Sequence, residues 1–177
     1  MVLQINFYGE NLMYRRNLID ITSEPKNDVY RHLIDLAFDL CDEFTLVIRE
    51  EFKLNDKGKS ILEKLNDHLI EMKKQSEWPG TILGCEDFAY VYHYHASPEA
   101  REIIKEVSNS LYGWMQRDFP EDLSFYKSGK PWLVNTAHEK ISYILSEDES
   151  EIDRIMSIKG LKARKVSREF ETLFNWY

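Results

Sequence analysis

His138 and Glu139 stand side by side in this 177-residue chain, a base and an acid of the types that exchange protons with a substrate. They follow a strand-like run, Trp132 to Ala137, that pairs as a β-hairpin with Glu121-Asp-Leu-Ser-Phe-Tyr across a Ser128-Gly129 turn. Folding back in this way brings Glu121 and Asp122 near His138, and His138, Glu139 and Asp122 then make the candidate set for a hydrolase-like or metal-assisted reaction. In an unbroken strand His138 and Glu139 point to opposite faces, so both reach one substrate only where the strand ends or bulges. The plainer assignment is a turn with solvated acids and a histidine that locks the hairpin by a hydrogen bond. His93 and His95, two apart on a strand, can offer two imidazoles to one metal with Cys85 or a carboxylate, but no second ligand pair at metal-site spacing accompanies them. No metal or other cofactor is therefore assigned.

Other chemistry is weaker. There is no Gly-x-Ser-x-Gly elbow, and neither Cys41 nor Cys85 has an activating base nearby in sequence. Lys57-Gly-Lys-Ser60 ends like a phosphate loop, yet Lys53 occupies the place of its first glycine, so the backbone cannot wrap a phosphate. Trp78, Trp132 and Tyr92 can line a binding surface, although aromatics at strand positions are more often core. Lys162, Arg164 and Lys165 belong to a basic stretch after an acidic one, Glu147 to Asp153; this is a solvated face or a surface that pairs with a partner or a second copy.

Composition narrows the partners. The hydrophobic share is 43%, enough for a packed core, and the net charge of −8 repels phosphate backbones and anionic lipid. Nucleic acid is thus unfavoured and no membrane association is expected. No signal peptide is visible at Met1 to Tyr8, and two cysteines form no disulfide framework, which places the chain in the cytoplasm.

The elements that must position these groups follow from periodicity. Leu3, Ile5 and Phe7 alternate as a strand, whereas residues 11–27 are ambiguous; their Tyr14-to-Asp20 segment resembles Tyr30 to Asp35 by chance rather than as a repeat. A helix opens at Asn27-Asp28 and runs to Cys41, and Thr45 to Ile48 is an interior strand. Ile61, Leu62, Leu65, Leu69 and Met72 predict a helix ending at Lys73-Lys74. After a Trp78-Pro-Gly turn, a strand holds Phe88 to His95. Ser97-Pro98 starts a helix whose stripe runs from Ile103 to Trp114. Ile141 to Leu145 is a strand, Ser146 to Glu149 reads as a capping box opening a helix through Met156, and a last helix carries Val166 to Tyr177. The expectation is one α+β domain over residues 1–177: a mostly antiparallel sheet covered by amphipathic helices, with residues 146–177 a C-terminal helical pair packed on it.

Taken together, Ser76-Glu-Trp-Pro-Gly-Thr81, Phe119-Pro-Glu-Asp-Leu123 and Trp132-Leu-Val134 with His138-Glu139 resemble a family of small bacterial cytoplasmic proteins. Some members bear the label stage III sporulation protein AH, a name that belongs to a membrane-anchored channel component. The resemblance covers Ile5 to Tyr143, with residues 11–27 as an insertion, and implies a shared fold; it transfers no activity and no catalytic residue. The functional expectation is a non-enzymatic protein-binding or regulatory module, engaging another protein or a second copy through the hairpin or the charged terminal helices. The enzyme built on His138, Glu139 and Asp122 is the alternative.

Overall fold

The computed structural model describes residues 17–84 and 87–166. Its elements in chain order are β1 (Asn17–Ile21), α1 (Asp28–Leu40), β2 (Glu43–Arg49), α2 (Asp56–Leu65), β3 (Leu69–Gln75), β4 (Glu77–Trp78), β5 (Thr81–Ile82), β6 (Ala89–His95), α3 (Pro98–Val107), β7 (Glu121–Lys127), β8 (Lys130–Thr136), β9 (Ile141–Ser146), α4 (Glu149–Met156) and β10 (Ala163–Val166). Eight strands form one sheet in the order β10-β1-β9-β8-β7-β2-β6-β3, and its pairings are antiparallel; β4 and β5 make a separate small hairpin. The α+β class and the large antiparallel sheet expected from periodicity are present.

Alternation along the strands divides the sheet into two unlike faces. Phe44 and Leu46 of β2 enter the main core, as do Phe125, Leu133, Ile144 and Ile19 of neighbouring strands. The buried apolar side chains of all four helices belong to that same cluster, among them Leu33, Ile61, Ile104 and Ile155, so the helices share one face. Phe38 of α1 meets the rings of Phe44 and Phe125 at 5.5 and 5.1 Å, and Phe44 stacks on Tyr94 at 5.1 Å. The other face carries smaller clusters: Val47, Trp78, Ala89 and Val91 in one, Val134, Tyr143 and Leu145 in another.

Helix starts follow local chemistry. Ser97 caps α3, its hydroxyl accepting from the Ala100 N–H at 3.1 Å with Pro98 in the first turn. Asn27 precedes α1 at φ 53° and makes no side-chain cap. The start of α4 differs from the expected capping box. Asp148 is the cap, accepting from the Ser150 N–H at 2.8 Å, while the hydroxyl of Ser146 is turned to Glu151.

Several expected boundaries are corrected. The helix predicted through Met72 ends at Leu65: residues 66–68 make a 3₁₀ turn and Leu69–Gln75 is strand β3, whose backbone pairs with β6. Leu65, Leu69 and Met72 fit a helical stripe, but ladder bonds to β6 outweigh that weak local preference. Lys73 and Lys74 consequently lie on a strand, not at a helix C-terminus. Helix α3 stops at Val107, and Trp114 reaches the core from the following loop, donating its indole N–H to the Tyr30 hydroxyl at 3.1 Å. At the C-terminal end only α4 is helical among the described residues. Arg164 and Lys165 sit on strand β10, paired with β1, because the apolar period around them is too short to define a helix. The rest of the expected last helix, like the strand expected at residues 3–8, lies outside the described residues. No helix among those described is long and apolar enough to cross a membrane.

Glu151 ties α4 to the sheet. Only 4% exposed, it accepts from the Ser146 hydroxyl at 2.8 Å and the Trp132 indole at 3.2 Å, and it pairs with Lys127. Its hydrogen bonds outweigh burial and hold its carboxyl below the ordinary glutamate range. Glu151→Ala strands these donors in the interior, so chemical denaturation is expected to show a loss of about 3 kcal/mol. A loss under about 0.5 kcal/mol, the size of an ordinary surface substitution, would contradict this.

Candidate functional site

Strand β7 is irregular where it begins. Against β2 its register runs Thr45↔Ser124 and then Val47↔Glu121, so β7 carries one residue more than its partner across this interval. Asp122 adopts φ 56° within it, a left-handed conformation that Asp tolerates better than most side chains. Such a bulge re-aims side chains that strict alternation would send to opposite faces. Here it lets Glu121 and Asp122 turn toward the end of β8.

Strand β8 stops at Thr136, and residues 137–139 form a 3₁₀ turn. Because the strand has ended, His138 and Glu139 reach the same side, His138 Nε2 lying 3.6 Å from Glu139 Oε1. Ligand-type atoms of Glu121, Asp122 and His138 all fall within 4.8 Å of one another, with both acids buried and His138 exposed. Asp122 and His138 thus lie close together with Glu121, and Glu139 is placed beside His138.

The small hairpin closes over this corner. Asp122 Oδ2 accepts from the Trp78 indole at 2.8 Å and Oδ1 from the Ala137 N–H at 2.8 Å, so one carboxylate joins three chain segments. Gly80, at φ 84° in the β4–β5 turn, lies so near β8 that an added Cβ would stand 2.5 Å from Thr136 Oγ1. Arg49 Nε lies 3.6 Å from Glu121 Oε2, and its guanidinium lies 6.0 Å from the centre of a Trp78 ring. Glu121 Oε2 accepts no hydrogen bond among the described residues.

The electrostatics suit a held structure more readily than a proton shuttle. Burial first, and the neighbouring Asp122 second, push Glu121 up to about 7, with Arg49 opposing. Burial also raises Asp122, against the hydrogen bonds from Trp78 and Ala137. Asp122 accepts one hydrogen bond on each oxygen in joining segments, and each oxygen keeps a second lone pair, so Glu121, Asp122 and His138 all retain capacity for a ligand.

The remaining expected residues lie apart from this corner. Trp132 is core, bonded to Glu151. Tyr92 lines an open cleft of about 440 Å³ with Leu62, Glu63, Asn66, Leu69 and Tyr94, between α2 and the β6–β3 border. Lys162 is in the turn before β10; Arg164 pairs with Asp20 at 2.8 Å and Lys165 with Glu149 at 2.8 Å. His93 pairs through Nδ1 with Glu43, whereas His95 is exposed at the strand end. Cys85 lies outside the described residues. The groups that sequence reasoning passed over were Arg49, whose role depends on the bulge opposite it, and the outer edge of β3, concealed by a helix-like period. Compared with known proteins, the chain matches no family model, no curated protein and no solved structure.

An acid raised by folding makes stability fall as pH climbs from its unfolded value, near 4.5, to its folded value, about 7, because the folded state then binds more protons. Glu121→Gln removes that dependence. Thermal and urea unfolding should show the variant gaining on the wild type by on the order of 2 kcal/mol between pH 5 and pH 8; a difference that does not change with pH would refute the assignment.

Proposed function

We propose that this chain is a non-enzymatic protein-binding or regulatory module that acts in the cytoplasm and takes its partner along the open edge of the sheet at β3. The observation that carries this is the edge itself. Strand β3 ends the sheet order, has β6 on one side, and among the described residues has no strand on the other along its seven residues. Leu69, Ile70 and Met72 on it are 37%, 41% and 48% exposed. An outermost strand with unpaired N–H and C=O groups and apolar side chains is a template for strand addition. The hairpin first considered for this role, β7–β8, lies inside the sheet with both strands paired on each side, so its backbone is spent. The cytoplasmic placement is supported by Cys41, a buried thiol outside any disulfide.

A second reading has one observation in its favour, the meeting of Glu121, Asp122 and His138 with an oxygen of Glu121 left over. On it, the corner binds a divalent cation and supports hydrolase-like chemistry with Glu139 beside His138. Added Zn²⁺ or Mn²⁺ should then raise the melting temperature of the wild type and not of His138→Ala; no shift in either protein removes this reading.

For the first reading, affinity purification of tagged full-length chain is expected to recover a stoichiometric companion, another protein or a second copy. Met72→Lys should lose it, and Met156→Lys, on exposed surface of α4, should keep it. Equal recovery by both variants would show that β3 is not the binding edge.

A further inference from the structure

The side chains of β3 are arranged to fit a copy of themselves. Register with β6 places Glu71 beside His93 and Lys73 beside Val91, and Met72 beside Tyr92. Glu71 and Lys73 therefore share the face away from the helices, while Met72 shares the helix face with Leu69 and Tyr92. On that helix face α2 ends at Leu65, and the open cleft lined by Leu62, Leu69 and Tyr92 marks where the helix layer stops short of the edge.

We infer that β3 pairs antiparallel with β3 of a second copy, about a two-fold axis at Met72, joining two eight-stranded sheets into one. This rests on the reading of β3 as the binding edge and names its partner. Charge selects the register. With both helix layers on the same side, opposed residues must point the same way, so the axis passes through a residue and not between two. An axis at Met72 sets Glu71 of each copy opposite Lys73 of the other, two ion pairs on one face, and Met72 against Met72 on the helix face. An axis at Glu71 sets the two Glu71 side chains against each other, and one at Lys73 does the same with lysine; directly opposed like charges destabilise a strand pair.

Within one copy Lys73 already bonds Glu71 at 2.6 Å, with both about half exposed. Pairing extends this to a ring of four alternating charges. Lysine on an edge deters strands that bring no acid, so the same residues that admit a second copy turn other strands away. The register bulge between Leu69 and Glu71 irregularises the edge beyond these central residues, so regular pairing about the axis runs from Glu71 through Lys73.

The test uses the full chain in sedimentation equilibrium over a range of protein concentration. The wild type should dimerise, reversibly and more weakly at high salt. Lys73→Glu, which sets an acid opposite each Glu71, should raise the dimer dissociation constant at least about tenfold, as should Glu71→Lys. The double exchange of Glu71→Lys with Lys73→Glu should recover it to within about threefold of the wild type, with thermal melts showing that each variant is folded. Under mild oxidation Met72→Cys should form a disulfide dimer, since the axis brings those two positions face to face. A wild type that stays monomeric, or a dimer indifferent to Lys73→Glu, would overturn the pairing. A monomer that still loses a copurified companion on Met72→Lys overturns self-pairing while leaving β3 as the binding edge, so the two claims fail separately.

Discussion

Every backbone N–H and C=O must find a partner, in the chain or in solvent, and an open sheet meets that demand everywhere except along its two outermost strands. In this fold the two ends are treated differently. Among the described residues strand β10 covers Ala163–Val166, and its Arg164 and Lys165 are held by Asp20 and Glu149. Strand β3 is seven residues long, and among the described residues β6 is its one neighbour in the sheet. The proposed extension of the sheet rests on β3, which has no second strand beside it among the described residues.

The interior is secured by buried carboxylates as well as by apolar packing. Glu151 fixes α4 against β8 and β9, and Asp122 fixes the small hairpin against the start of β7 and the turn after β8. Each is surrounded by donors from separate segments, so neither can be removed without leaving polar groups unmatched. Glu121 is different: burial and Asp122 raise it to about 7, and its Oε2 has an arginine beside it but no donor at hydrogen-bond distance. Through Glu121 that corner is expected to couple folding to pH between about 4.5 and 7.

Much of the layer structure was legible in the sequence, because Thr45 to Ile48 is a short run rich in β-branched residues, side chains from Phe88 to His95 divide between two faces, and Ser97-Pro98 is a strong helix start. The turn at Ser128-Gly129 was legible for the same local reason. What escaped was decided by partners distant in sequence. Leu69 and Met72 continue the helical period of Ile61 and Leu65, and only the ladder with β6 makes them strand. At the corner, Asp122 and His138 could be named as neighbours from the hairpin fold-back. The bulge that turns Glu121 and Asp122 together, and the indole of Trp78 that meets them, depend on packing that no local pattern encodes.

If β3 is the edge along which this chain is extended, its backbone should report it most directly, through residue-resolved amide hydrogen exchange of Leu69–Gln75 in dilute and in concentrated protein. Amides facing β6 should be slow at both concentrations, and the alternate amides facing outward should be fast when dilute and slowed when concentrated. Outward amides that exchange at one rate across the whole range would contradict the account.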